Sequence, residues 1–328
     1  MKRIVYIMIL AVMVCSCAKP KSKSLETLTP AAFSADSAYL YVAEQVFLGA
    51  RVPGSVSHAV CAKYLEYQLS RFGAMIEVQQ GEMVNYAGET VPVYNITGRY
   101  NAGQKGKRIM LCAHWDCRPW ADEDPDYEKR QTNAVTGAND GASGVGVLLE
   151  IARQLGQMQA EGTLTKGVDI TFFDVEDMGA PSFFDGKERE DTWCLGSQLW
   201  AKERGAKLQP LYQYAILLDM VGSPDAVFPR EYISVNAAKG VVDKVWKTAS
   251  LLGYGKYFID APAYPITDDH YYVNTLAGIP CIDIIHYDPR SENGFAYYWH
   301  TTEDDMRNIS PETLGAVGTT VLTTILAR

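Results

Sequence analysis

Phe172-Phe173-Asp174-Val175-Glu176-Asp177 closes a nearly continuous apolar run, Val168–Asp174. A strand that is apolar almost throughout, rather than at every second position, is one covered on both faces, as in a sheet held between helices. This strand ends on carboxylates. Two other stretches share that habit. Ala138-Asn139-Asp140-Gly141-Ala142-Ser143-Gly144 opens a helix just after Asp140, and Tyr298-Trp299-His300-Thr301 supplies an imidazole. Aspartate, a Glu/Asp pair and histidine are the ligand chemistry of a catalytic zinc with one open position.

Working outward, apolar residues at helical spacing predict helices over Ser34–Ala50 and Ser57–Gly73, the second closed by a glycine suited to a C-cap. Val93–Tyr100 and Arg108–His114 read as strands joined by an Asn/Gly/Lys turn. A polar loop from Asp116 to Asn139 follows, then a helix from Gly141 to about Ala160. Leu195–Gly205 reads as helix, Tyr214–Asp219 as a buried strand, and Tyr232–Asn236 as a short element. Helices Gly240–Gly253 and Asp269–Gly278, strand Pro280–His286 and a final helix from Pro311 complete the pattern. Strands alternating with helices specify an α/β fold, a three-layer α/β/α sandwich around a mixed, largely parallel sheet. No composition break divides residues 35–328, which are expected to form a single domain without internal repeats. His114, Asp174 to Asp177 and Asp219 all fall at C-terminal strand ends, where open α/β sheets place their ligands.

The 328 residues are 47% hydrophobic and 21% charged, with a formal net charge of −9 and no Lys/Arg run beyond the N-terminus. That balance excludes a nucleic-acid partner, which needs a basic footprint. Lys2 and Arg3 precede an apolar run, Ile4–Val14, too short to span a bilayer and typical of a signal-peptide core. Val14-Cys15-Ser16-Cys17 resembles a bacterial lipobox with Cys17 as the lipidated residue; a plain secretory signal cut near Ala18 is the simpler alternative. Ala18–Ser34, rich in Lys, Ser, Thr and Pro, reads as a flexible tether. The expected location is the cell envelope, in the periplasm, with membrane contact only through the lipid anchor. Cys61, Cys112, Cys117, Cys194 and Cys281 remain, an odd count without a C-x-x-C pair. Cys112 and Cys117 flank a strand end closely enough to pair; burial as small apolar residues is the expectation for most of the five.

Taken as an ordered set, Ala113-His114-Trp115-Asp116, Gly137–Gly144, Phe173–Asp177, Leu217-Leu218-Asp219-Met220-Val221-Gly222, Asp268-Asp269-His270 and Trp299-His300-Thr301 resemble the M28 family of zinc peptidases and its glutaminyl cyclase branch, over about residues 35–328. In two-zinc members the matching metal positions are His114, Asp140, Asp177, Asp219 and His300. In the cyclases only Asp140, Asp177 and His300 hold a single zinc, so one zinc per chain is implied. Asp268, the wall residue Trp299 and the segment Leu218–Pro224 resemble the cyclases more than the aminopeptidases. The resemblance implies an enzyme that converts the N-terminal glutamine of peptides or proteins to pyroglutamate, with Glu176 as proton carrier and Asp219 and Asp268 holding the substrate amine. Trp193, Asp283, Phe295 and Trp299 are the implied pocket and supporting residues, and the enzyme is expected to act as a monomer. Two departures stand out: the usual Glu-Glu pair is Glu176-Asp177, and Asp283 replaces a histidine of the animal-type cyclases.

Blander readings compete. A lone Asp140 at a helix start is more often an N-cap than a ligand. Asp174 reads as structural, His58, His270 and His286 as non-ligands, and Asp122–Asp126 as a solvated loop. Trp115, Trp120, Trp193 and Phe295 each suit core or pocket, with Trp193 and Phe295 the better pocket candidates. The sequons at Asn95 and Asn308 carry no meaning in a bacterial lipoprotein. The alternative function is a two-zinc aminopeptidase, in which Glu176 activates a water and His114 and Asp219 hold a second zinc. A non-catalytic lipoprotein on a decayed hydrolase scaffold is disfavoured, because all five ligand positions and Glu176 are present.

Overall fold

The computed structural model describes residues 28–327; the leader and lipobox assigned to residues 2–17, and the tether before residue 28, lie outside the described residues. Helices α1 (Ala35–Phe47) and α2 (Val56–Arg71) precede strands β1 (Met75–Val84), β2 (Thr90–Tyr100) and β3 (Arg108–His114). Helices α3 (Tyr127–Thr132) and α4 (Ala142–Ala160) lead to β4 (Val168–Phe173). Helix α5 (Leu195–Trp200) runs through a π turn, Ala201–Gly205, and α6 (Ala206–Leu208) towards β5 (Tyr212–Asp219). Strand β6 (Phe228–Glu231), α7 (Tyr232–Leu251), β7 (Phe258–Ala263), α8 (Asp269–Thr275), β8 (Cys281–Ile285) and α9 (Pro311–Leu326) follow.

Six strands form one sheet in the order β1-β2-β4-β3-β5-β8. The half from β4 to β8 is parallel, and the hairpin β1–β2 joins it antiparallel through β2 and β4. Every residue of β3, β4 and β8 is buried, which is why their sequences do not alternate. Along β3, Ile109, Leu111 and Ala113 enter the larger core with α1, α4, α7 and α9, while Met110 and Cys112 enter a second core with α5 and α8. Ile109, Leu111 and Met110 each contribute about 1.5–3 kcal/mol on burial. The three layers read from the sequence are therefore present. Gly144 lets α4 cross tightly over the sheet, since a Cβ there would lie 2.2 Å from the Leu218 carbonyl oxygen. That crossing sets the start of α4 against the end of β5, where Asp219 emerges.

Several expectations change. Strand β1 was not foreseen, because an edge strand with mixed exposure lacks a clean period. The turn after β2 does not make a hairpin with β3; β4 lies between them. Tyr232–Asn236 belongs to α7, whose start is fixed by Glu231 accepting from the Ile233 and Ser234 amides; the helix is kinked at Ala238 rather than beginning at Gly240. Strands β6 and β7 form a separate small sheet. Cys112 and Cys117 do not pair: the first donates to the Ile216 carbonyl within the sheet and the second turns to the Thr136 carbonyl. Among the described residues, all five cysteines are buried and free.

Candidate metal centre and its cleft

Four chain reversals at the C-terminal edge of the sheet bring the polar residues together. Val175, Met220 and His300 hold positive φ angles of 54°, 47° and 54°, a cost that tends to persist where surrounding contacts fix a functional geometry. Gly141 (φ 69°) passes so close to His114 that a Cβ would lie 2.7 Å from its ring. Gly141, not Asp140, is the N-cap of α4, so the Asp140 carboxylate is released from capping.

Asp140 stands at the centre. Its Oδ1 lies 2.9 Å from His114 Nε2 and its Oδ2 lies 3.7 Å from His300 Nε2. Asp219 Oδ1 is 3.3 Å from His114 Nε2, and Asp177 Oδ1 is 3.2 Å from His300 Nε2. Two sets of donors result, Asp140/Asp177/His300 and His114/Asp140/Asp219, each with its atoms within 4.8 Å of one another and all of them buried. His114 Nε2 and Asp219 Oδ1 are buried without a hydrogen-bond partner, the condition a divalent cation relieves. Carboxylates and imidazoles in this ratio suit zinc. The short Asp177 side chain thus reaches the cluster.

The supports were largely hidden in the sequence. Asp116 accepts the Glu176 and Asp177 amides at 3.0 and 3.2 Å, clamping that loop from beneath. Asp304 accepts the Asn139 and Asp140 amides at 2.8 and 3.0 Å. Burial, with the charge of Asp140, pushes Asp304 up to about 7. Asp122 corrects the solvated-loop expectation: it is 3% exposed, takes two 2.7 Å bonds from Arg118, and lies 3.5 Å from His300 Nδ1. Asp124, equally buried, accepts from Thr302. An acidic loop looks solvated until its distant partners are known.

Asp174 is structural as expected, bonded to His58 at 2.8 Å and to the Tyr94 amide. Trp115 belongs to the core, stacked on His58, and Trp120 packs edge-on against Tyr86. His286 is buried away from the donor sets. His270 faces Glu231 at 3.3 Å and Asp283 at 3.8 Å, in a deeper cluster with Asp268.

A cleft of about 720 Å³ opens over this centre. Trp193, Phe295 and Trp299 all line it, with Glu176, Asp219 and Asp268. The His300 ring is flanked by Trp299 at 3.5 Å and Trp193 at 6.3 Å, both nearly parallel to it. Asp283 does not line the cleft; it lies fully buried on β8, beneath Asp268. Burial raises Glu176 well above the ordinary carboxylate range, with His114 opposing and Asp268 and Asp177 adding to the rise. Burial, only partly offset by His114, raises Asp219 to about 7, with Asp140 and Asp268 contributing. Asp268 and Asp283 are raised for the same first reason. For His114, the carboxylates of Asp116, Asp140 and Asp219 outweigh burial, and its pKa rises. Glu176 Oε1 also accepts from the Cys194 thiol at 3.1 Å, a partner with no signal in the sequence.

The profile of peptidase family M28 matches residues 95–325. A Zn-dependent exopeptidase from Parabacteroides distasonis is 50% identical, covering 92% of this chain and 100% of that one, with a TM-score of 0.86. A glutaminyl cyclase from Bacteroides thetaiotaomicron, solved with N-acetylhistamine, is 48% identical over 92% and 100% of the two chains, with a TM-score of 0.85. A glutaminyl-peptide cyclotransferase from Boiga irregularis is 22% identical over 292 residues, 80% of this chain and 73% of that protein.

Proposed function

This chain belongs to peptidase family M28, and from that membership we propose that it is a glutaminyl-peptide cyclotransferase, which closes the N-terminal glutamine of a peptide into pyroglutamate and releases ammonia. One observation carries this choice within the family. Glu176 and Asp268 bring carboxylate oxygens within 4.8 Å of each other on the cleft floor, beneath the aromatic walls. Two carboxylates in so small a space suit an α-ammonium group that has to be held and then deprotonated.

Asp140, Asp177 and His300 would hold one Zn²⁺, which supplies Lewis-acid polarisation of the glutamine γ-carbonyl. Trp193, Trp299 and Phe295 exclude water and fold the side chain back, so that the amine approaches the carbonyl carbon. An α-amine has a pKa near 8 and arrives charged. Glu176 takes its proton; burial raises its pKa, which makes its carboxylate a stronger base. The new C–N bond closes the ring while the bond to the amide nitrogen breaks. Glu176 returns that proton to the amide nitrogen, which leaves as ammonia. It then takes the second proton from the attacking nitrogen as the lactam N–H forms and passes it to the departing ammonia or to water. Asp219 and Asp268 hold the amino end, and crowding among like charges keeps a proton shared in their neighbourhood.

The test is a peptide beginning with glutamine, followed by mass spectrometry. Loss of one ammonia at constant chain length supports the cyclase; release of free glutamine refutes it. A second reading, a two-zinc aminopeptidase, is favoured by the His114/Asp140/Asp219 donor set, and two metal ions per chain would select it. The proposal includes residues 35–328 as a single catalytic domain acting as a monomer, exported and anchored in the periplasm through lipid on Cys17. Among the described residues no helix is long and apolar enough to cross a membrane. The mass of the mature N-terminus tests the anchor.

A further inference from the structure

The charged side chains lining the cleft are carboxylates, apart from His300; among the described residues no lysine or arginine lines it. Those of the floor have roles above. Two others, Asp191 and Glu292, are exposed where the cleft meets solvent. Asp191 is fixed there: its carboxylate accepts the Tyr272 hydroxyl and its carbonyl accepts from Gln198. Glu292 sits on a loop closed by the Asp288 amide donating to the Gly294 carbonyl at 2.7 Å. The neighbouring cation, Arg290, is held by Asp288 through bonds of 2.8 and 2.9 Å. Among the described residues, Glu292 has no hydrogen-bond or ion-pair partner. The cleft is of the size that holds a drug-sized ligand, larger than one glutaminyl residue needs. A peptide continuing past the glutamine leaves this cleft along a mouth that carries both carboxylates.

We propose that Asp191 and Glu292 select substrates by charge at the second position, favouring peptides that begin Gln-Lys or Gln-Arg and rejecting those that begin Gln-Glu or Gln-Asp. This rests on the cyclase reading and adds to it the class of peptide accepted. A basic side chain at the mouth meets unpaired negative charge, and an acidic one meets like charge at short range. Because both residues face solvent, the selection is screened by salt and acts on kcat/KM through capture of the peptide.

The experiment compares kcat/KM for three otherwise identical peptides with Lys, Ala or Glu after the glutamine, at low ionic strength. The expected order is Lys, Ala, Glu, with Lys over Glu by roughly tenfold or more. Salt at about 0.5 M compresses the ratio. Glu292→Gln, an exposed change that the fold should tolerate, lowers the ratio, and Glu292→Lys inverts it. Equal cyclisation of all three peptides overturns the selectivity and leaves the cyclase intact; so does a ratio unchanged in Glu292→Gln. Failure to cyclise even the Ala peptide overturns the cyclase itself.

Discussion

Replacing Asp122 by asparagine keeps its shape and removes its charge, and the structure predicts two separable effects. The carboxylate serves Arg118 through two 2.7 Å bonds, the Ser182 amide at 2.9 Å, and His300 Nδ1 at 3.5 Å. Facing a carboxylate, Nδ1 keeps the ring proton and leaves Nε2 open towards Asp177 and Asp140. In Asp122→Asn one amide face turns a donor towards a donor, either the guanidinium or the imidazole. Loss of such an outer partner weakens metal binding by about 10–100-fold, or about 1.4–2.7 kcal/mol. The fold suffers less than from most broken buried pairs. Arg118 keeps the Asp177 carboxylate and the carbonyls of Asp177, Gly179 and Ala180. A loss of about 1.5–3 kcal/mol is expected, the worth of one charged hydrogen-bond partner. Zinc competition against a chelator measures the first effect, and urea unfolding of metal-free protein the second. Zinc affinity within twofold of the parent, alongside reduced stability, would refute the coupling to His300 and leave Asp122 as a mere partner of Arg118.

Glu176→Gln is expected to lower kcat by about 10²–10⁴-fold while the metal content is retained; metal loss, read by elemental analysis, removes the proton-carrier role. Burial depresses His286 from 6.5 to about 4. The unfolded chain takes up a proton that the folded one refuses, so stability is full above about pH 6.5 and falls by about 3 kcal/mol towards pH 4. Unfolding free energies of His286→Gln should lack that part of the slope, and parallel curves count against it. Gly144→Ala drives a Cβ against the Leu218 carbonyl oxygen and should cost about 1–3 kcal/mol in a melt; an unshifted melt would mean α4 can retreat freely.

The sequence made the middle of the sheet legible because burial on both faces writes an apolar run into Val168–Phe173 and Tyr214–Asp219. Asp140, Asp177 and His300 were singled out by the ordered motifs and their resemblance to family M28, and the structure brings the three together. Strand β1 was not legible, since an edge carries no consistent period. Asp116, Asp122 and Asp304 escaped too. Their partners are backbone amides or side chains far along the chain, such as Asp304 with residues 139 and 140, and no local spacing reports such pairings. Cys194 beside Glu176 is the extreme case, a contact produced by the turn at Val175 and by nothing in composition.

The donors around Asp140 come from positions as distant as His114 and His300, and the Asp140 amide itself is held by Asp304. A chain lacking its last segments loses His300 from one donor set and, with Asp304, the clamp on the Asp140 that both sets share. Small zinc modules gather their ligands from one short loop and can use the ion as a nucleus for folding. Here metal capture has to come late, after the C-terminal loop has docked. A truncated product is thereby expected to bind metal weakly as well as to be unstable.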